Sequence, residues 1–128
     1  MYTINEVVKI TGVPASTLRY YEQEGILPKV NRNTSGRREF DDNLLEWIEF
    51  VKALKDTGMT IEDIKAYTNL VLQGDDTVDA RRVFLSEHKH KVEKSLALTQ
   101  HHLEKVIRKI AIYDVLMHKK KSSANTFI

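Results

Sequence analysis

The side chains with the most chemistry to offer lie in two short stretches. Ser16-Thr17-Leu18-Arg19-Tyr20-Tyr21 gathers hydroxyls, a guanidinium and phenols, and residues 29–38 hold Lys29, Arg32, Arg37 and Arg38 without one carboxylate. At helical spacing Ser16, Thr17, Arg19, Tyr20 and Glu24 span one side, while Leu18 and Tyr21 or its neighbour turn inward. A helix presenting that side fits the major groove of duplex DNA, where its N-terminal residues reach base edges. Two arginines beyond a turn, Arg37 and Arg38, can straddle the neighbouring phosphate backbone or enter the minor groove.

Other chemistries find no support. Ser16 has no nucleophile elbow around it, and no glycine-rich phosphate loop occurs. Asp41-Asp42 and Asp75-Asp76 sit where helices should start, so their carboxylates read as caps rather than as an acid/base pair. The reading is therefore not an enzyme. The chain has no cysteine, which excludes disulfides, thiolate metal sites and iron–sulfur clusters. His88 and His90 are two apart, His101 and His102 are adjacent and His118 stands alone, so none has the i, i+4 spacing of a helical metal pair. A solvated or interfacial role accounts for them, and the sequence implies no metal and no cofactor. Trp47, Phe50, Tyr67, Phe84 and Tyr113 can line a pocket, but aromatic residues at helical spacing read first as core.

The elements that must position these residues follow from the breakers. All five glycines and both prolines fall between Gly12 and Gly74. Thr3 followed by Glu6 is a capping box for a first helix through Ile4, Val7, Val8 and Ile10, ended by Gly12. A second helix runs from Pro14 toward Glu24 and Gly25, giving the spacing of a helix-turn-helix. Lys29–Arg32 and Arg37–Phe40 flank the turn-rich Asn33-Thr34-Ser35-Gly36, which reads as a β-hairpin. Asp41 or Asp42 starts a third helix through Leu44, Leu45, Trp47, Ile48, Val51 and Leu54, ending near Thr57-Gly58. Thr60 with Asp63 caps a fourth, whose apolar face is Ile61, Ile64, Tyr67 and Leu70.

From Thr77 to about His118 the apolar period becomes a heptad. Leu96, Leu103, Ile110 and Met117 take position a, and Leu85, Val92, Thr99, Val106 and Tyr113 take position d. Arg82 and Lys89 at a, with Thr99 at d, make the seam irregular. Roughly 40 residues at ~1.5 Å each give a rod of about 60 Å, too long to bury its seam within a 128-residue monomer, so pairing with a second copy is expected. The overall charge of +2 is nearly balanced, but residues 77–128 hold eleven basic and five acidic side chains, a local net of +6. The N-terminus lacks a signal-peptide plan, and no apolar run approaches the roughly 20 residues of a membrane span. A soluble, cytoplasmic protein without a membrane partner is expected.

These segments also carry a resemblance. Thr3 to Val13, Thr17-Leu18-Arg19-Tyr20-Tyr21-Glu22 with Gly25-Ile26-Leu27-Pro28, Gly36-Arg37-Arg38-Glu39-Phe40 and Leu54 to Lys65 follow, in order over about residues 2–74, the motifs of the MerR family of bacterial transcription regulators. The chain resembles that family closely. The resemblance implies a homodimer on a pseudo-palindromic promoter, modulating transcription by distorting the DNA so that RNA polymerase can engage it. It implies base or phosphate contacts at Ser16, Thr17, Arg19, Tyr20 and Tyr21, a first wing with Arg37 and Arg38 at the backbone, and a second wing around Gly58 with Lys55 as a phosphate contact. Dimerisation falls on Leu85, Val92, Leu96, Leu103, Val106, Ile110 and Met117. Metal-sensing relatives carry cysteines near the end of the coil, and drug-sensing relatives append a large ligand domain. Here about ten residues follow His118, so the small-molecule effector is unknown: the signal is read in a small pocket beside the coil, or there is none.

The expected fold class is mainly α: an N-terminal winged helix-turn-helix with a small β-hairpin wing, then a long C-terminal helix forming an antiparallel dimeric coiled coil. The expected divisions are 1–74 for DNA binding, 75–118 for dimerisation and 119–128 as a flexible tail. Two other readings are a coiled-coil interaction adaptor and an architectural, excisionase-like DNA-bending factor. Steep loss of DNA affinity with salt separates a DNA-binding protein from the adaptor, and the long heptad argues against the excisionase-like factor.

Overall fold

The structure, a computed structural model, describes residues 1–120; most of the expected tail, 121–128, lies outside them. The element order is α1 (Ile4–Thr11), α2 (Ala15–Gln23), β1 (Asn31–Arg32), β2 (Arg38–Glu39), α3 (Asp42–Asp56), α4 (Ile61–Leu72), a 3₁₀ turn at Asp75–Thr77 and α5 (Val78–Lys119). Two compact units divide the chain, one from Met1 to His88 and one from Lys89 onward. The first unit runs past Gly74 because Phe84 and Leu85, on the first turns of α5, pack against its core.

Local chemistry sets the ends of these elements. Thr3 and Glu6 complete the capping box, with the Glu6 amide donating to the Thr3 hydroxyl at 3.2 Å and the Thr3 amide to the Glu6 carboxylate at 2.9 Å. These bonds hold the Glu6 carboxyl below its ordinary pKa. Gly12, at φ +75°, ends α1 in the left-handed region and lets the chain turn into α2. Asp41 rather than Asp42 caps α3, accepting from the Leu44 amide at 2.8 Å, and Asp42 instead accepts from the Tyr2 hydroxyl at 2.8 Å. Thr60 caps α4 through the Asp63 amide at 3.2 Å.

The hairpin is shorter than its flanking residues suggest. Only Asn31 with Glu39 and Arg32 with Arg38 pair, antiparallel. Asn33 stands in for the missing ladder: its side-chain oxygen accepts from the Ser35 amide at 2.9 Å and the Arg37 amide at 3.0 Å, as asparagine does in tight turns. At the base, Tyr2 and Phe40 exchange backbone bonds of 2.7 and 2.9 Å, tying the N-terminus to the wing.

The core of the first unit collects residues from α1 to α4 and the segments between them. Val7, Leu18, Ile26, Phe40, Ile48, Val51 and Ile64 are almost fully buried, each stabilising by roughly 1.5–3 kcal/mol. The Ile26 carbonyl, just beyond α2, accepts from Trp47 Nε1 at 3.0 Å and from the Thr68 hydroxyl at 3.2 Å. The end of α2 is thereby fixed to α3 and α4 by buried polar bonds as well as by packing. At the α4–α5 joint, Arg81 donates to the Gly74 carbonyl at 3.0 Å and to the Thr77 hydroxyl at 3.1 Å.

The second unit is the distal part of α5. Leu96, Leu103, Val106, Ile110 and Met117 are each more than half exposed, and Val92 is half-buried. Leu85, expected at the seam, lies in the first unit, half-buried against its core. Among the described residues, no helix is long and apolar enough to cross a membrane.

Candidate nucleic-acid interface

The candidate surface is built on α2. Pro14 occupies its N-cap position with no side-chain hydrogen bond, and its first turn holds no acidic residue. The positive end of that helix dipole is therefore not neutralised by a capping carboxylate. Ser16, Arg19 and Tyr20 are exposed and Thr17 is half-buried, while Leu18 and Tyr21 enter the core. Arg19 and the wing meet at one open groove, whose walls include Arg19, Arg32, Arg37 and Arg38 with Asn5 and Asn33. Residues distant in sequence are thus brought within reach of one ligand.

Two of the expected contacts, Tyr21 and Arg38, are engaged within the protein. Tyr21 is only 6% exposed, and burial raises its phenol above the ordinary tyrosine pKa. Its ring packs beside that of Tyr20, with centroids 6.2 Å apart. Arg38 is engaged within the protein, its Nε 2.6 Å from Glu22 Oε1 with both side chains 23% exposed. It braces the wing against α2. Arg37, its neighbour, is exposed and has no ion pair among the described residues.

A second brace was not legible in the sequence. Lys65 on α4 donates to Glu24 at 2.8 Å, and that bond raises the lysine above its ordinary pKa. Glu22 and Glu24 sit at the C-terminal end of α2, where the helix dipole disfavours carboxylates. One cation from the wing and one from α4 compensate them, leaving Arg19 and Arg37 outward. Gln23 was also missed: it is exposed, four residues after Arg19 and seven after Ser16, on the same face and with an amide suited to an adenine edge. That spacing was the available signal. Lys55, in the last turn of α3, is exposed.

The other sequence candidates resolve into packing. Trp47, Phe50 and Phe84 lie around Tyr67, with centroids 5.9–6.1 Å from it, as one aromatic cluster. Tyr113 belongs to the second unit. Among the described residues, no cluster of three or more histidines and carboxylates is arranged for a metal ion. His90 lies 3.5 Å from Glu93, and His88 Nε2 lies 2.8 Å from the Thr57 hydroxyl.

Comparison with known proteins agrees with the surface. A family model described as MerR HTH family regulatory protein matches residues 2–70, and one described as MerR, DNA binding matches residues 45–109. The HTH-type transcriptional regulator AdhR of Bacillus subtilis is 42% identical over 70% of this chain, which spans 64% of that protein's length. An HTH-type transcriptional regulator of Haemophilus influenzae is 35% identical over 88% of this chain and 83% of its own. Among solved structures, HiNmlR, described as a MerR family regulator lacking the sensor domain and bound to promoter DNA, superposes with a TM-score of 0.83. It is 33% identical, and 94% of each chain is covered.

Proposed function

This chain belongs to the MerR family of helix-turn-helix regulatory proteins, and from that premise we propose that it binds a pseudo-palindromic promoter as a homodimer and modulates transcription by distorting the duplex. The observation that carries the proposal is the shared groove, in which Arg19 on α2 and Arg37 on the wing stand exposed, while Glu22 and Glu24 at the end of α2 are paired with Arg38 and Lys65. Ser16, Thr17, Arg19 and Tyr20 then read base edges or adjacent phosphates, with Gln23 added to that face. Arg37 and Lys55 contact the backbone and set the register without reading sequence. Tyr21 and Arg38 act behind them as supports.

The dimer rests on the unsatisfied seam. Five large apolar side chains repeating along one face and more than half exposed form a patch that a soluble monomer rarely leaves open. Antiparallel pairing centred near His101 sets Leu96 against the partner's Val106 and Ile110 against the partner's Val92. Lys89 then meets an aromatic ring, the partner's Tyr113. Parallel pairing would instead oppose Lys89 to its own copy in the seam, at a cost in desolvated like charge. Two α2 helices held at fixed separation bind half-sites one helical turn or a multiple apart. A mismatch between that separation and the relaxed duplex is taken up by bending or untwisting, which is how the protein reaches RNA polymerase function without catalysis.

The test combines sedimentation with fluorescence anisotropy on the promoter dyad and on random duplex. Wild type should sediment as a dimer, prefer the dyad, and lose affinity steeply with salt. Leu103→Glu with Ile110→Glu should give a monomer that loses that preference. A monomeric variant with unchanged preference refutes the paired mechanism.

A further inference from the structure

The seam and the helix-turn-helix leave one charged surface without a task. In the distal unit of α5, the positions that point away from the seam are b, c and f of the heptad, with f opposite it. From residue 91 onward Lys91, Lys94, Lys105 and Arg108 occupy such positions, with Leu98 between the two cation pairs and Ile112 just beyond. The three carboxylates of this unit, Glu93, Glu104 and Asp114, all fall at b or e. Glu93 and Asp114, at e, flank the seam, so among the described residues Glu104, at b, is the one carboxylate that borders the stripe of c and f positions. Those four cations are exposed, Leu98 is 57% and Ile112 42% exposed, and Val115 on the same stripe is 54% exposed.

We propose that this outward stripe is a docking surface for an acidic amphipathic helix of a partner protein. The charge pattern selects an anionic ligand and the apolar residues decide its class. Duplex DNA meets a straight helix only where a phosphate strand crosses it, and it offers nothing apolar to cover Leu98 and Ile112. An anionic bilayer takes up helices that have a continuous apolar face; here Lys105 and Arg108 separate Leu98 from Ile112, and the continuous apolar face is the seam. A helix with carboxylates and leucines at three- and four-residue spacing satisfies both features over the 22 residues from Lys91 to Ile112. Because c and f point away from a two-stranded seam, the docking face coexists with the dimer of the proposed function, on whose pairing it rests.

The test uses the full chain and a fluorescein-labelled 22-residue peptide with glutamate and leucine in the three–four pattern. A scrambled peptide of the same composition, a labelled random duplex and phosphatidylglycerol vesicles serve as competing arms. The patterned peptide should bind, and the scrambled one at least ~10-fold more weakly, since charge alone does not fix register. Lys94→Glu with Lys105→Glu should lower peptide affinity at least ~10-fold, and Leu98→Ser with Ile112→Ser should lower it to a similar extent. Dyad affinity and sedimentation should stay at wild-type values in both variants. No peptide binding, equal binding of the scrambled peptide, or a stripe variant that loses duplex or vesicle affinity instead overturns the proposal. Sedimentation separates this failure from failure of the pairing: a monomeric wild type whose stripe variants still lose the peptide removes the dimer and keeps the docking face.

Discussion

Adjacent arginines on the wing should behave as different kinds of residue. Arg38 makes one charge-assisted bond of 2.6 Å to Glu22, with each side chain 23% exposed. An exposed pair contributes ~0.2–1 kcal/mol, and a hydrogen bond to a charged group about 1.5–3 kcal/mol. The partial exposure places this bridge between them, so Arg38→Ala should destabilise by about 1–2 kcal/mol, a fall of roughly 5–10 °C in Tm for a domain of this size. It also leaves the Glu22 carboxylate uncompensated beside the groove, which weakens duplex binding by repulsion. Arg37 is exposed, so Arg37→Ala should leave stability within ~0.5 kcal/mol and, with two copies in the dimer, flatten the salt dependence of DNA affinity by about 1.8 in log–log slope. Urea unfolding and anisotropy across a salt series read both effects. Adding Glu22→Gln should restore much of the DNA affinity lost by Arg38→Ala and none of that lost by Arg37→Ala. If Arg38→Ala is as stable as wild type and flattens the slope as Arg37→Ala does, the bracing role is wrong and Arg38 is a phosphate contact.

Other outcomes follow from the same geometry. Arg19→Ala should abolish preference for the dyad over random duplex in competition anisotropy; unchanged discrimination removes it from the reading face. Because the protein contains no cysteine, mixing a tagged Thr99→Cys chain with an untagged Leu103→Cys chain under mild oxidation should give the mixed disulfide, as antiparallel pairing about His101 requires, whereas two homodisulfides would indicate parallel helices. The phenols of Tyr2 and Tyr21 are both raised, by the hydrogen bond to Asp42 and by burial respectively. A folded-state pKa above the unfolded value gives a contribution that is complete below about pH 10 and is lost as pH rises through the folded pKa. Tyr21→Phe should therefore remove a late-titrating part of the phenolate absorbance; a titration identical to wild type contradicts the burial. Lys65→Gln should loosen the end of α2 and reduce dyad discrimination more than affinity for random duplex, and an equal loss on both duplexes would make Lys65 a simple phosphate contact.

Periodicity, caps and breakers were enough to place every helix, because those signals are local. Thr3 and Glu6 close their capping box, Thr60 finds the Asp63 amide, and Gly12 takes the positive φ that ends α1. The basic hairpin was legible for the same reason, since Asn33 and Gly36 carry their turn chemistry with them. Which arginine faces solvent was not local. Arg37 and Arg38 are equivalent as letters, and only the approach of α2 to the wing, sixteen residues from Glu22 to Arg38, commits one of them to a carboxylate. Likewise the Lys65–Glu24 bond spans 41 residues, and Tyr21 loses its place on the reading face because Leu18 and Tyr21 together fill the core beneath it. Sequence alone determined the elements, the reading helix and the wing's charge. The tertiary structure decided which charges are spent holding those elements together, because pairing depends on distances that no spacing along the chain can state.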